Sequence, residues 1–216
     1  MSNLNLCQPI NEPILDDVQR TIKRCFDLFI AVLSLIFFAP VAIILSILIK
    51  LEDGGPVLYR SKRIGQYGKP FTMLKFRSMV MGGATYQSSC QQMEGQPVTV
   101  YKVLDDSRVT KIGRWMRATS LDELPQLIHV LRGEMSLVGP RPELPWLLSY
   151  YESQHYQRFG VPQGMTGWWQ INGRRHNPMQ YQLIEQDIYY IEHYSFGLDL
   201  LILWRTIGVV FRGEGM

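Results

Sequence analysis

A chain of 216 residues with 46% hydrophobic side chains and a net charge of +3 has room for one compact unit and no second large domain. That charge is too small to indicate nucleic acid, and the sequence carries neither a basic tail nor a nucleic-acid motif. Cys7, Cys25 and Cys90 are odd in number and far apart, which argues against a disulfide framework or a zinc site and fits a reducing compartment.

Residues 1–11 are polar, and Ile14, Val18 and Ile22 then lie one turn apart in a short amphipathic pattern. Arg20, Lys23 and Arg24 form a basic collar ahead of the uncharged run LFIAVLSLIFFAPVAIILSILI, residues 28–49. At roughly 1.5 Å per residue the run is just long enough to cross a bilayer core. It starts too far from the N-terminus, and is too long, for a cleavable signal peptide. Pro40 in its middle removes a backbone bond and kinks a helix. Lys50, Arg60, Lys62 and Arg63 follow it, so both flanks are basic and charge gives no direction for a straight crossing. A helix that enters, breaks at Pro40 and returns to the same face satisfies both observations.

After the break at residues 52–56, VLYRS and FTMLKFRSM read as short strands around the turn Gly68-Lys69-Pro70. No acidic residue occurs over 54–93, whereas Arg60, Lys62, Arg63, Lys69, Lys75 and Arg77 do. Such a ribbon can touch anionic headgroups, at roughly 1 kcal/mol per near-surface charge, or floor a site for an anionic substrate. Residues 82–97, rich in Gly, Gln and Ser, predict a loop. DDSRVTKIGRWMR predicts a helix capped by Asp106 with Ile112, Trp115 and Met116 facing inward.

The most informative stretch is 117–142, RATSLDELPQLIHVLRGEMSLVGPRP. Leu124, Leu127, Ile128 and Leu131 predict one buried helix face, and Gly133 stops the run. Pro125 leaves two starts: Asp122 as N-cap, or Ser120 as N-cap with one backbone bond lost. Both put Asp122 and Glu123 in the first turn, at the positive end of the helix dipole. Ser120 and Glu123 also match a capping box, which needs no chemistry. Arg117 and the proline-flanked Arg141 shift the balance, because a stiffened arginine suits two-pronged phosphate recognition. Paired carboxylates flanked by fixed arginines suggest a metal and phosphate site more than a cap.

Further on, ELPWLLSYYESQHYQRF predicts a helix with Trp146, Leu147 and Tyr150 suited to an interface, and His129 and His155 read as surface residues. Trp168 and Trp169 read as core and interfacial anchors, and Gly173-Arg174 as a turn able to approach a phosphate. YQLIEQDIYYIEHY predicts a helix. LDLLILWRTIGVVFR, interrupted by Arg205, is short for a span and predicts an amphipathic helix in the interface or docked under the domain.

R-x-T-S-L-D-E-L-P-Q, S-L-V-G-P-R-P and G-x-x-Q-I-N-G-R together resemble the bacterial sugar transferase family, the monotopic polyprenol-phosphate phosphoglycosyl transferases, from about Lys23 to the C-terminus. At this length the resemblance is to the minimal form, without the extra spans of larger members. The fold expected is α+β and mostly helical: a small domain with a short β-hairpin, a re-entrant membrane helix kinked at Pro40, and amphipathic interfacial helices. The expected parts are a tail over 1–22, the membrane helix over 23–50 and a cytoplasmic catalytic domain over 51–216, at the bacterial inner membrane.

The resemblance implies that Asp122 attacks the phosphorus next to the sugar of a nucleotide-sugar donor, with a UDP-sugar the expected class. The acceptor it implies is a polyprenyl phosphate such as undecaprenyl phosphate. Breaking the donor's diphosphate would need its charge offset, so a divalent metal on carboxylate oxygen, Mg2+ above others, is expected, and Glu123 would help hold it or manage protons. Lys75 and Arg77 border the active site by resemblance, Arg117, Arg141 and Arg174 meet substrate phosphates, and Asp187 matches an acidic residue of the family. Two departures stand out: Ala39 where many relatives have serine before the proline, and Ser107 in a D-P-R pattern. Two rivals are a phosphohydrolase using the same carboxylates and a non-enzymatic membrane adaptor. The sugar, the base, the pathway and the oligomeric state are not legible.

Overall fold

The computed structural model describes residues 15–80, 106–172 and 180–212. Arg174, the loop expected over 82–97 and the polar N-terminus lie outside them. The first element is α1, Asp17–Asp53, a single helix that covers both the amphipathic start and the apolar run. Asp16 caps it by accepting from the Gln19 N–H at 2.7 Å, and Gln19 returns the bond. It ends where the Gly54 N–H donates to the Lys50 carbonyl. It is long and apolar enough to cross a membrane, and Pro40 lies inside it.

The expected hairpin is present as β1, Leu58–Ile64, paired antiparallel with β2, Pro70–Phe76, in the register Leu58↔Phe76 to Ile64↔Pro70. Its turn falls slightly earlier than expected, with the Gly65 N–H on the Lys69 carbonyl at 2.8 Å. Helix α2 runs over Lys111–Ala118, later than the sequence pattern suggests, because Thr110 caps it while Asp106 binds Arg108. Met116 is buried, but Trp115 is 53% exposed, against the inward position expected for it.

A six-residue 3-10 turn, Leu121–Gln126, leads into α3, Leu127–Arg132, which Gly133 ends as expected. Strand β3, Ser136–Val138, pairs in parallel with β4, Gly164–Thr166, a pairing with no sequence signature at three residues a strand. Between them the expected long helix is instead two 3-10 segments, Pro145–Tyr150 and Ser153–Phe159. Leu147 is buried there rather than at an interface. Helices α4, Trp168–Asn172, α5, Gln180–Glu192, and α6, Phe196–Phe211, complete the chain.

The main core joins Ala31 of α1, Met73 of β2, Leu127 and Val130 of α3, Val138 of β3, Tyr190 of α5 and Ile202 of α6. A second core packs Leu45 and Ile49 of α1 on Phe76 and Met116. Both halves of α1 are therefore docked on the same domain. In the first half Lys23 bonds Asp199 at 2.6 Å, Arg24 caps α3 through the Val130 and Leu131 carbonyls, and Asp27 accepts from Ser136 and the Leu137 N–H. In the second half Glu52 accepts from the Lys111 N–H at the start of α2 and Asp53 pairs with Arg77. Within the basic collar, Lys23 is 3% exposed and serves the core. Between the two docked stretches, Ile36, Phe37, Ile43 and Ile44 are exposed.

Candidate active site

The carboxylate pair sits where α2 stops and the chain reverses. Thr119 closes α2, and Ser120 adopts φ 56, a left-handed conformation unusual for a side-chain-bearing residue. The next turn is 3-10, with the Glu123 N–H on the Ser120 carbonyl at 3.1 Å. Ser120 occupies the N-cap position, but its side chain makes no capping bond. The capping-box reading therefore fails, and Glu123 is used elsewhere. The expected helix dipole is also weaker than the sequence suggests, because the turn and α3 have six residues each. Side-chain cations supply the positive field instead.

Glu123 Oε1 accepts from Lys75 Nζ at 2.7 Å and from Arg141 Nη2 at 2.7 Å. Lys75 comes from β2, packed directly against the carboxylate turn. Arg141 comes from the loop after β3, and that loop is fixed by close backbone packing. The Gly139 N–H donates to the Thr166 carbonyl at 2.9 Å and the Gly164 N–H to the Pro140 carbonyl at 2.8 Å. A Cβ on Gly164 would lie 2.1 Å from the Gly139 nitrogen, so no side chain is accommodated there. The V-G-P-R-P and M-T-G motifs are two halves of one contact.

Asp122 is 8% exposed beside this pair. Burial pushes its carboxyl pKa up, Lys75 pulls it down, and the charge on Glu123 pushes it up again, so the net direction is upward. Burial also pushes Glu123 upward, but Arg141 and Lys75 outweigh it and hold that carboxyl well below the usual range. Burial lowers the pKa of Lys75, partly opposed by Glu123. Two neighbouring carboxylates are therefore set apart, one firmly ionised and one raised, the arrangement expected where they have different tasks. Arg117, in the last turn of α2, acts on Asp122 through its charge.

Lys75, Arg117, Asp122, Glu123 and Arg141 are thus brought together. Arg77 is directed elsewhere: it is 7% exposed and bonds Asp53 at the end of α1. Asp187 is buried behind the site. Its Oδ2 accepts from Arg158 Nη2 at 2.5 Å, and the same nitrogen donates to the Arg141 carbonyl at 2.9 Å. Arg158 Nη1 donates to Glu143 Oε2 at 2.6 Å and also to Tyr151. Burial raises Asp187 to about 6, opposed by Arg158 and aided by Glu143. Sequence reading missed Arg158, Glu143 and Tyr151, which sit in a stretch that reads as a helix with residues suited to an interface. The spacing of Glu143 and Arg158 carries no signal, since the 3-10 segments bring them together.

His129, expected at the surface, is 1% exposed. Its Nε2 accepts from the Leu74 N–H at 3.0 Å, and Nδ1 lies 2.6 Å from Glu134 Oε2. Because an N–H points at Nε2, the proton of the neutral ring resides on Nδ1 and is donated to Glu134. This clamps β2 to α3 one residue before Lys75. His155 is at the surface region expected of it, accepting from the Glu152 N–H through Nδ1.

Among the described residues no cluster of three or more His, Cys, Asp or Glu forms a metal cage. Two adjacent carboxylates still suit Mg2+, which commonly takes one or two protein carboxylates and completes its shell with substrate phosphate and water.

The sequence profile of the family described as Bacterial sugar transferase matches residues 18–213. The chain is 40% identical over 199 residues to the exopolysaccharide production protein ExoY of Sinorhizobium fredii, covering 89% of this chain and 87% of that protein. It is 39% identical over 204 residues to the undecaprenyl-phosphate galactose phosphotransferase of Salmonella typhimurium, covering 91% of this chain and 42% of that protein. It is 38% identical over 212 residues to the UDP-glucose:undecaprenyl-phosphate glucose-1-phosphate transferase of Escherichia coli, covering 95% of this chain and 43% of that protein. The chain spans less than half the length of the latter two relatives.

Proposed function

Because the chain belongs to the bacterial sugar transferase family, we propose that it moves a sugar 1-phosphate from a nucleotide diphosphate sugar to a membrane polyprenyl phosphate, releasing nucleoside monophosphate. The observation that carries this reading is the convergence of Lys75 and Arg141 on Glu123 beside the buried Asp122. A UDP-sugar and undecaprenyl phosphate are the substrates favoured, since two similar proteins are named for undecaprenyl phosphate and one for UDP-glucose. Exopolysaccharide synthesis is the favoured setting, from the name of a third.

In the first step a carboxylate oxygen of Asp122 attacks the phosphorus that bears the sugar. The bond from that phosphorus to the oxygen of the nucleoside monophosphate breaks, and an aspartyl phosphosugar remains. In the second step an oxygen of the lipid phosphate attacks the same phosphorus, and the Asp122 carboxylate leaves. An anion attacking an anion needs neutralisation in place beforehand. Lys75, Arg117 and Arg141 all act on Asp122 in the direction that keeps it ionised, against its burial. The diphosphate takes over the cations that Glu123 occupies in its absence. Asp122 and Glu123 would hold Mg2+, which supplies charge offset on the phosphoryl oxygens. Water in place of the lipid would make the protein a phosphohydrolase. The adaptor reading loses its basis with the failed capping box.

The membrane arrangement proposed is a hairpin at α1, with the catalytic domain on the cytoplasmic face. A straight crossing separates the helix ends by a core of ~30 Å, yet residues before Ala31 and after Leu45 dock on one domain. Pro40 falls between them, flanked by exposed apolar side chains. The apolar face of α6, with Leu200, Trp204, Ile207 and Phe211 exposed, would lie in the same interface. Two experiments test these readings. A panel of nucleotide sugars should release nucleoside monophosphate in proportion to polyprenyl phosphate supplied; release of free sugar phosphate without lipid product sinks the transferase. Single cysteines at Asn3 and Met216, in a background without other cysteines, should both resist an impermeant thiol reagent in intact cells. Labelling of one and not the other removes the hairpin.

A further inference from the structure

Lys75 reaches Glu123 from a sheet of only two strands. A two-stranded hairpin is marginally stable by itself, so the strand that carries Lys75 needs pins from outside the sheet. One lies just before it, where the Leu74 N–H donates to His129 Nε2 at 3.0 Å. The other lies just after it. Arg77 follows β2 directly, with its N–H still donating to the Val57 carbonyl at 2.9 Å. It is two residues from Lys75, which puts both side chains on one face of the strand. Its guanidinium bonds Asp53, the last residue of α1.

The chain around Asp53 is shaped to receive that guanidinium. Asp53 Oδ1 also accepts from the Gly55 N–H at 3.2 Å, and the Gly55 carbonyl accepts from Lys50 Nζ at 3.3 Å. Gly54 has a positive φ, but Gly55 does not, so its backbone does not call for glycine. Space does: a Cβ on Gly55 would fall on Arg77 Nη1. The end of α1 is itself held, because the neighbouring Glu52 accepts from the Lys111 N–H at 2.9 Å. We propose that Arg77 is a positioning residue for the transfer reaction. Locked to Asp53 in the space that Gly55 leaves, it sets where β2 ends and so where Lys75 Nζ stands against Glu123 and the donor diphosphate. Arg77 itself does not touch substrate, and the end of α1 becomes part of the geometry of the site. The proposal rests on the transferase reading above.

Initial rates of nucleoside monophosphate release test it, with full-length protein, nucleotide sugar, Mg2+ and polyprenyl phosphate in detergent, below the unfolding midpoint of each variant. Asp53→Asn removes the carboxylate and keeps every cation. It should lower kcat/KM for the donor by roughly ten- to a hundredfold, the effect of a misplaced group. A phosphate-binding Arg77 predicts the opposite, since release from Asp53 would free it for the donor; an unchanged or faster Asp53→Asn therefore overturns the proposal. Gly55→Ala keeps both charges and displaces the guanidinium. It should lose activity over the same range, and a wild-type rate in it also overturns the proposal. Lys75→Met gives the readout that a general structural role would not move. If Arg77 acts through Lys75, adding Asp53→Asn to Lys75→Met should cost no more than about twofold further. Losses that multiply in full give Arg77 a role independent of Lys75 and refute the positioning. Should Asp53→Asn fail to fold, Asp53→Glu, which keeps the pair but shifts it by one methylene, carries the same comparison. Wild type that releases nothing from any nucleotide sugar brings down the transferase reading and the proposal with it, whereas an active wild type beside an equally active Asp53→Asn brings down the positioning alone.

Discussion

Glu123 and Lys75 make the same contact, yet removing one should not resemble removing the other. Glu123→Gln takes away the carboxylate that Lys75 and Arg141 share. Breaking a buried pair in this way costs roughly 3–5 kcal/mol. Side-chain exposures of 17% for Glu123, 18% for Lys75 and 25% for Arg141 admit solvent screening and reduce that cost; roughly 2–3 kcal/mol is a fair expectation. At about 2–4 °C per kcal/mol for a domain of this size, the midpoint should fall by about 4–12 °C. Lys75→Met removes one charged hydrogen bond, roughly 1.5–3 kcal/mol. It also relieves the desolvation of a buried ammonium and leaves Glu123 still paired with Arg141. Its net effect should lie within about 1 kcal/mol. Activity should show the reverse emphasis. A cation ~4 Å from a phosphate at an effective dielectric near 20 is worth about 4 kcal/mol, so Lys75→Met should lose about a thousandfold in kcat/KM. Thermal unfolding in detergent and initial rates of nucleoside monophosphate release measure both. If Lys75→Met melts as early as Glu123→Gln, or retains its rate, the charge balance described for this site is wrong.

The network behind Arg141 gives further expectations. Arg158→Leu leaves Glu143 and Asp187 buried without their shared cation and should cost roughly 3–5 kcal/mol. Arg158→Lys should fold but raise the KM for donor more than it lowers kcat, because one ammonium cannot serve Asp187, Glu143 and the Arg141 carbonyl together. Burial raises Asp187 to about 6, above its value in the unfolded chain. Its contribution is therefore stabilising when protonated, fully present below about pH 4, and lost as pH rises through about 6. Unfolding midpoints measured from pH 4 to 7 should show this fall superimposed on other titrations, by roughly 2–3 kcal/mol, and Asp187→Asn should remove it. An identical pH profile in the variant would refute the assignment.

What was legible in the sequence follows from how local the cause was. The uncharged run with Pro40 inside, the Gly133 stop and the β-hairpin are written in residues adjacent to one another. The grouping of Lys75, Asp122, Glu123 and Arg141 came through as well, because resemblance named residues that contact geometry then joined. Local pattern failed where tertiary contacts decide. His129 follows two apolar residues in a helix and reads as solvated, yet its ring is spent on a strand N–H far away in sequence. The stretch 143–159 has the composition of a helix but breaks into 3-10 turns, with Arg158 drawn inward by two carboxylates. Lys23, read as part of a basic collar ahead of the apolar run, is taken by Asp199 near the other end of the chain. Charged residues were misplaced most often because a buried partner distant in sequence leaves no local trace.

Intact-protein mass measurement after mixing with a nucleotide sugar and Mg2+, without acceptor, tests the central claim most directly. Wild type should gain the mass of one sugar phosphate, map it to Asp122, and lose it when polyprenyl phosphate is added. Asp122→Asn should gain nothing and turn over nothing. An adduct on another residue, or turnover that survives in Asp122→Asn, would contradict the role given to this aspartate.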